Sequence, residues 1–333
     1  MKQPSLYDFN VEVISFPSGA GGSVALLPSY GRVIGVWTGD EADNAFWTNS
    51  EFNQGASLWD NPGGDRLWLA PEFDFFIPDP NDPWGTYTVP VCFDPGKYSF
   101  TAETDSITLQ NSGAVTVLAS GVAIPFKTKR EIRAFTSEGL RRFTTKPEIA
   151  TAGYEETTTL EVEGDCPMEL GFWDLIQVPQ GGTVMVGKKS GSDYVTYPGD
   201  PTGAIGENEH GYVPVSYAMK NRFKVGFQGN DLTGVIGYYR ELGVDSASLI
   251  IRGFELKPDG RYIDPPFGES VEFACPVQLF YGADVYPFGE VEYHSPAVGK
   301  GVEKVTCKSY LCALTGPRDT IQEVISEHIE VKK

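Results

Sequence analysis

Short runs of strand-forming residues, separated by turn residues, follow one another along most of the chain. RVIGVWT, KYSFTAET, TTTLEVEG and SLIIRGFEL are examples. The β-branched and aromatic residues in these runs favour pleated strands, and 38 glycines and 24 prolines supply turns between them. This spacing predicts an all-β chain built as a large sandwich or barrel.

The clearest alternation lies in SVEFACPVQLFY, residues 270–281, where apolar side chains at every second position predict one face of a strand. Pro276 has no N–H, so a bulge or sheet edge is expected there. Helical patterning is scarce. Its best case is 319–331, where Thr320 and Glu323 fit a capping box. We expect this helix to lie outside the sheets.

Two segments rich in proline, glycine and acidic residues are predicted to be long loops: 77–85 and 197–211. Loops of this length are more often functional than incidental. Nothing in the 333 residues demands a domain boundary, and all-β domains often exceed 200 residues. The chain is therefore predicted to be a single domain over 1–333.

The chain is strongly acidic, with 26 basic and 45 acidic residues and a formal net charge of −19. Such a surface repels phosphate backbones and anionic lipid headgroups, so nucleic-acid and membrane partners are not expected. The N-terminal segment lacks the run of about 7–15 apolar residues of a signal peptide, which predicts a cytoplasmic protein. Five scattered cysteines are typical of reduced, buried thiols.

Several common catalytic and metal motifs do not occur: GxSxG, the Walker phosphate loop, GxGxxG after a strand, and HExxH. The three histidines are far apart in sequence, which argues against a histidine-rich metal site. DPNDPWG, residues 79–85, holds oxygen ligands that suit calcium but departs from the EF-hand pattern, so a turn is favoured. We expect no cofactor and no metal.

The stretch GGDRLWLAPE, residues 63–72, concentrates chemistry in ten residues. On a strand, Arg66 and Trp68 project from one face. An indole can stack on the apolar face of a sugar ring, and a guanidinium can donate to its hydroxyls. Asp65 and Glu72 are further candidates for sugar binding. The alternative is a structural arginine that pairs with Asp65 or Glu72 around a buried tryptophan.

A second cluster is FGEVEYHSPA, in which Glu290, Glu292 and His294 fall on one side of a predicted strand. A carboxylate and an imidazole that face one cavity can act as general base and general acid. The alternative is a solvated strand face, which polar alternation produces routinely.

The remaining candidates are Trp173 and Lys224 for sugar binding and Asp174 for catalysis, and they stand in two other predicted strands. GFWDL contains Trp173, which is most simply a core residue, and Asp174, which would need a hydrogen bond among apolar neighbours. FKVGF contributes Lys224, which by itself indicates only a surface or core residue.

Taken in chain order, these pieces resemble uncharacterised proteins of the galactose mutarotase-like supersandwich family, from Gly31 to Pro296. The motifs that carry the resemblance are YGRVIGVWTGDEADNAFWTN, GGDRLWLAPE, ELGFWDLIQVPQGGTV, KVGF followed by GVIGYYRE, GRYIDPPFGESVEF and FGEVEYHSPA. The resemblance implies an antiparallel β-supersandwich with few short helices and a sugar-sized cleft on one concave sheet.

Aldose 1-epimerases of this fold use a glutamate as base, a histidine as acid and an arginine that binds the sugar. By motif position, Glu292 resembles the glutamate and Arg66 the arginine. GFWDL stands where the epimerases carry an HPYF-like motif, so the expected histidine is missing. Either His294 or Asp174 takes the role of the acid, or the protein has lost the anomeric chemistry.

Three functions stay open on the sequence. The first is an isomerase that acts at the anomeric centre of a sugar, without a cofactor. The second is a non-catalytic carbohydrate-binding protein, and the third is a glycan hydrolase or lyase that uses two carboxylates such as Glu72 and Glu292. Each implies a carbohydrate partner, and we expect a monomer or homodimer.

Overall fold

The computed structural model describes residues 11–52, 61–163, 166–257 and 259–331. The strands in these ranges are β1 (Ile14–Ser18), β2 (Gly22–Leu27), β3 (Arg32–Trp37), β4 (Asp65–Ala70), β5 (Tyr98–Ala102), β6 (Ser106–Thr116), β7 (Ala123–Ala134), β8 (Ala150–Val162), β9 (Gly171–Pro179), β10 (Thr183–Lys188), β11 (Val195–Thr196), β12 (Tyr212–Ser216), β13 (Phe223–Phe227), β14 (Leu232–Glu241), β15 (Ser246–Phe254), β16 (Val277–Tyr281), β17 (Phe288–His294) and β18 (Lys304–Pro317). The α-helices are α1 (Glu72–Phe76), α2 (Ser137–Leu140) and α3 (Arg318–His328), and short 3-10 helices lie at Pro28–Tyr30 and Val271–Phe273.

The strands form two nine-stranded antiparallel sheets. Sheet I has the order β1-β2-β3-β4-β9-β17-β16-β13-β11, and sheet II has the order β12-β10-β14-β15-β18-β8-β7-β6-β5. Neighbours in space are often far apart in sequence, as where β4 pairs with β9 and β9 pairs with β17. The predicted all-β, antiparallel architecture is confirmed.

The main core fills the space between the sheets. Strand β7 shows how the sequence produces it: Ile124, Phe126 and Ile132 are buried, whereas Lys127 and Arg133 on the opposite face are not. Each fully buried side chain of this size stabilises the fold by about 1.5–3 kcal/mol. Period-2 alternation therefore decides which face of the strand meets the core.

Helix α3 covers part of the outer face of sheet II and buries Ile321, Val324 and Ile325 there. Its predicted position outside the sheets is confirmed. The predicted capping box is wrong, because the helix already begins at Arg318 and Pro317 is its N-cap. The backbone N–H of Arg318 donates to Asp245 instead. No helix in the described ranges has the length and apolar character needed to cross a membrane.

The strand predicted over 270–281 is only partly correct. Residues 271–273 form a 3-10 helix, and β16 begins at Val277, directly after Pro276. Proline cannot donate to a ladder, so the sheet starts where hydrogen bonding becomes possible. The predicted loop at 77–85 is confirmed, as is that at 197–211 apart from an isolated bridge at Ile205.

Candidate functional site

Adjacent strands of sheet I bring distant residues to one face. Residues that pair directly across an antiparallel ladder lie on the same face. Arg66 on β4 pairs with Leu175 on β9, which pairs with Glu292 on β17. We call this the cleft face; its charged and aromatic residues include Arg66, Trp68, Trp173, Lys224, Glu290, Glu292 and His294.

Helix α1 and the segment after it lie across the cleft face. Glu72, the first residue of α1, is buried and reaches Lys224 of β13. Tyr87 donates from its hydroxyl to the other Glu72 oxygen, at 2.8 Å. Trp84 packs on Phe280 of β16 with ring centroids 6.0 Å apart. The loop predicted from its prolines therefore forms the cover of the site.

Lys224 is buried between two carboxylates. Its Nζ lies 2.9 Å from Oε2 of Glu72 and 3.4 Å from Oε2 of Glu292. Burial by itself lowers the pKa of Lys224, but Glu292 and Glu72 raise it above its usual value. The lysine therefore stays charged and lowers the pKa of both acids against the effect of burial, which it outweighs at Glu292 but not at Glu72.

Glu292 is the most deeply buried acid of the cleft face and is fully shielded from solvent. Burial raises its pKa, but Lys224, His294 and Arg66 together bring the pKa below its usual value. Nε2 of His294 lies 3.6 Å from Oε2 of Glu292, which is too long for a hydrogen bond. The base and acid predicted on β17 are thus neighbours, with the carboxylate ionised.

Arg66 is held by Glu290, not by Asp65 or Glu72 as the structural alternative predicts. Its Nη2 donates to Oε1 of Glu290 at 2.9 Å, and Gln177 donates to the same oxygen at 2.8 Å. Burial raises the pKa of Glu290. The guanidinium carbon lies 3.6 Å from the centre of the Trp68 ring. A salt bridge and a ring contact therefore fix the orientation of the arginine.

Buried polar atoms without a hydrogen-bond partner concentrate on the cleft face. Within the described ranges there are ten such side-chain atoms, and seven belong to this face. They are Nε and Nη1 of Arg66, both carboxylate oxygens of Glu292, Nε2 of His294, Oε1 of Gln278 and Nε1 of Trp173. Because unpaired buried polar groups cost free energy, such a concentration is typical of a site that offers hydrogen bonds to a ligand.

A cavity of about 50 Å³ opens onto this face. Its charged lining residues are Arg66, Glu72, Lys224 and Glu290, and its aromatic ones are Trp68, Trp84, Tyr87, Phe280, Tyr286 and Phe288. The volume suits a few hydroxyl groups or water molecules and is far below the ~300 Å³ at which small-molecule pockets begin. Glu292 and His294 lie behind this lining.

Two predicted site residues, Asp65 and Asp174, lie on the opposite face of sheet I. Asp174 pairs with Leu67 and Tyr293 and so faces the core between the sheets. There it binds Arg252, and burial raises its pKa to about 8. Period-2 alternation separates each of these acids from its cleft-facing neighbour in sequence. The structure does not bring either of them to the cleft face.

Asp65, Glu156 and Asp174 have carboxylate oxygens within 4.8 Å of one another, a spacing that suits a metal ion. Arg130 and Arg252 already donate to these carboxylates. Two guanidiniums therefore supply the positive charge that a metal would bring, and the cluster acts as a buried ionic network between the sheets.

Trp68 and Trp173 contribute less free ring surface than the sequence suggests. Trp68 is 2 % exposed, with Arg66 over its ring and Phe76 at 5.1 Å. Trp173 is stacked on His294, with Lys224 Nζ 4.7 Å from its ring centre. The more accessible rings are those of Trp84 and Tyr286, which sequence reasoning missed because both stand outside strands.

Comparison with solved structures gives matches over most of the chain. A protein from Synechocystis sp. PCC 6803 matches with a TM-score of 0.50 and 11% identity, over 92% of this chain and 96% of that one. A candidate aldose 1-epimerase from Escherichia coli K12 has 12% identity, coverage of 91% and 99%, and a TM-score of 0.49. A galactose mutarotase-like protein from Lactobacillus casei has 9% identity, coverage of 92% and 100%, and a TM-score of 0.46.

The fold is galactose mutarotase-like. The sequence resemblance and the expected antiparallel supersandwich are thereby confirmed at the level of the fold. No family model matches the chain, and no curated protein matches its sequence. At identities near one in ten, the likeness to solved structures concerns the fold alone.

Proposed function

We propose that this protein is a carbohydrate-active isomerase, similar to aldose 1-epimerases, that acts at the anomeric centre of a sugar. The observation that carries the proposal is the group of buried polar atoms without a hydrogen-bond partner on Arg66, Glu292 and His294. These atoms include donors and acceptors in close proximity, which is what a hydroxyl-rich ligand requires. The fold is consistent with this chemistry but does not specify it.

Glu292 is the general base. It takes the proton of the anomeric hydroxyl while His294, in its protonated form, donates to the ring oxygen. The bond between C1 and the ring oxygen breaks, and C1 becomes an aldehyde carbon. Rotation about the neighbouring carbon bond and the reverse proton transfers close the ring with the other anomer. A neighbouring acid and base suit this reaction because its two oxygens share one carbon.

Arg66 and Lys224 stabilise the negative charge that develops on the sugar oxygens during ring opening. Nε and Nη1 of Arg66 remain available for sugar oxygens while Nη2 binds Glu290. Lys224 keeps Glu292 ionised and lies beside Glu72 at the cavity wall. Preorganised cations of this kind stabilise negative charge on oxygen without reorganisation during the reaction. No cofactor takes part in these steps.

A non-catalytic carbohydrate-binding protein is the second candidate, favoured by the position of Lys224. This side chain lines the cavity, whereas Glu292 lies behind the lining. A sugar that contacts only Arg66, Lys224, Glu72 and Glu290 would bind without meeting the base. Turnover therefore requires Lys224 or the covering segment to move.

The hydrolase alternative meets a geometric limit. Lys224 lies between Glu72 and Glu292, so their Oε2 atoms are no farther apart than the sum of its two ion-pair distances. That sum is shorter than the ~6.5 Å minimum for carboxylates that invert a glycosidic bond. The geometry disfavours an inverting pair at these two residues.

The test begins with a thermal-shift screen of the wild type and Arg66→Ala against monosaccharides, uronic acids, sugar phosphates and short oligosaccharides. We expect a sugar that stabilises only the wild type. The rate at which its anomers interconvert is then measured by NMR with wild type, Glu292→Gln and a control, Glu155→Gln, which is exposed on sheet II.

Glu292→Gln is expected to lower the enzyme-dependent rate by about 100-fold or more while sugar binding persists. Glu155→Gln is expected to keep the wild-type rate. An unchanged rate in Glu292→Gln eliminates the proposed base. Binding that depends on Arg66 without acceleration by the wild type establishes the non-catalytic candidate instead.

A further inference from the structure

A continuous row of aromatic side chains crosses the mouth of the cavity. We call it the aromatic band; it consists of Trp47, Phe288, Tyr286, Phe280, Trp84 and Phe267. Successive ring centroids along this row lie 4.6, 5.7, 6.0, 6.0 and 6.4 Å apart. The residues come from four separate parts of the chain, so tertiary structure alone assembles the row.

The centre of the band belongs to the cavity, and its ends lie beyond it. Phe280, Tyr286, Phe288 and Trp84 line the cavity. Trp47 and Phe267 do not line it and are partly exposed at the two ends. Phe280 and Phe288 are only 7% and 3% exposed, so the accessible ring surface of the band comes from its other four members. Trp47 and Phe267 extend that surface beyond the cavity at its two ends, which is typical of a binding groove that is longer than its deepest pocket.

The size of the cavity decides what the band can hold. About 50 Å³ accommodates hydroxyl groups but not a whole sugar ring. If the anomeric end of a sugar points toward Arg66 and Glu290, the partly exposed rings of Trp84 and Tyr286 are the ones beside the rest of the sugar ring. Any unit attached to the far side of that ring then lies over an end of the band.

The chemistry of the band indicates a neutral ligand. In a chain with a net charge of −19, the band consists of uncharged rings. Outside the cavity lining, a charged residue in contact with the band is Arg222, whose guanidinium carbon lies 4.3 Å from the centre of the Trp84 ring. Rings stack on the apolar faces of sugars, and a guanidinium held on such a ring donates to hydroxyls.

We propose that the aromatic band binds further units of a neutral oligosaccharide whose reducing-end unit occupies the cavity. The reducing end is the unit with a free anomeric hydroxyl, so it is the one that an anomeric isomerase must hold. This inference rests on the proposed function and narrows its substrate class from sugars in general to short neutral oligosaccharides.

Titration calorimetry tests the proposal with oligosaccharide series of one to four units: α-1,4-linked and β-1,4-linked glucose, β-1,3-linked glucose and β-1,4-linked mannose. Wild type is compared with Phe267→Ala, Phe267→Leu and Arg66→Ala. Phe267→Leu keeps apolar volume and removes the ring, which separates stacking from local packing. The control is Phe100→Ala, at a ring 38% exposed on sheet II.

We expect at least one series to bind the wild type about fivefold to tenfold more tightly at three units than at one, as one stacked ring would produce. Both Phe267 variants should lose most of this gain, and Phe100→Ala should retain it. Equal affinity at all lengths overturns the band proposal, as does a gain that survives in both Phe267 variants.

These outcomes separate the band from the proposed function. One outcome is that a monosaccharide binds, that Arg66→Ala abolishes this binding, and that added sugar units do not increase the affinity. This outcome supports the cavity as a sugar site and rejects the band. If no member of any series binds, the band proposal falls, and the thermal-shift screen with its wider panel of sugars decides whether the cavity is a sugar site. Melting temperatures of all variants verify that a lost gain does not come from unfolding.

Discussion

Lys224 offers the sharpest test of the electrostatics of the site. Its side chain is 3% exposed and forms ion pairs with Glu72 and Glu292. Lys224→Met keeps an unbranched side chain of similar length but removes the charge. The substitution therefore leaves two buried carboxylates without their shared cation, with little loss of packing.

The expected cost follows from the burial of this cluster. Removing one partner from a buried ion pair costs about 3–5 kcal/mol, because the charge left behind is neither solvated nor paired. Typical domains have free energies of unfolding of about 5–15 kcal/mol, so the variant should fold with markedly reduced stability. Glu72→Gln in the same chain removes one of the two charges and should recover part of the loss.

The loss should depend on pH in a defined direction. Burial raises the pKa of Glu72 even with Lys224 present, whereas the pKa of Glu292 is below its usual value. Without Lys224 both pKa values should rise in the folded state, to above the unfolded value of about 4.3. The folded variant then binds more protons than the unfolded chain, and its free energy of unfolding falls as pH rises. The deficit relative to wild type should therefore be larger at pH 7 than near pH 4, and the part that comes from the low pKa of Glu292 in the wild type disappears only at still lower pH.

Urea unfolding at several pH values measures these differences in the free energy of unfolding. It compares the wild type with Lys224→Met and with Lys224→Met/Glu72→Gln. Lys127→Met is the matched control, because Lys127 pairs with Glu163 on the surface and its loss should hardly change the free energy of unfolding. A Lys224→Met variant within about 1 kcal/mol of wild type at pH 7 refutes the reasoning. So does a deficit that stays constant down to pH 4.

Two further predictions concern parts of the chain beside the site. Burial raises the pKa of Asp174 to about 8, so the free energy of unfolding should fall as pH rises from about 4 to 8. Asp174→Asn should flatten that fall in urea titrations, and a wild-type slope in the variant contradicts the raised pKa. Gly64 has a φ of +80° and an added Cβ would lie 2.3 Å from the Val33 carbonyl oxygen. Gly181 has a φ of +89°, but no atom lies within 4 Å of an added Cβ, so Gly181→Ala should cost only about 1–2 kcal/mol of backbone strain. Gly64→Ala should therefore lower the melting temperature more than Gly181→Ala does. Equal melting temperatures argue against the clash.

Much of the cleft face follows from alternation within single strands. The expectation that Arg66 and Trp68 share a face is confirmed, as is the one that groups Glu290, Glu292 and His294. The same rule placed Asp65 and Asp174 opposite their neighbours Arg66 and Trp173. Their inclusion among the site candidates followed the motif rather than the face.

The positions at which β16 and α3 begin depended on backbone hydrogen bonds that side-chain patterns do not reveal. The alternation over 270–281 continues through Pro276, yet the ladder begins only at Val277. Thr320 and Glu323 match a capping box, but β18 passes into α3 at Pro317 and leaves no free turn for that cap. In both cases a neighbouring backbone hydrogen bond, or its absence at proline, decided the boundary.

The sequence by itself determined the β class, the alternating faces and the types of chemical group available, because these depend on residues a few positions apart. Only the tertiary structure decided that Glu290 would hold Arg66, that Lys224 would lie between Glu72 and Glu292, and that the aromatic band would cross the cavity. Those contacts depend on which strands become neighbours and where the covering segment lies. The packing of a whole core and the closure of long loops select that arrangement, and neither is encoded in any single stretch of the chain.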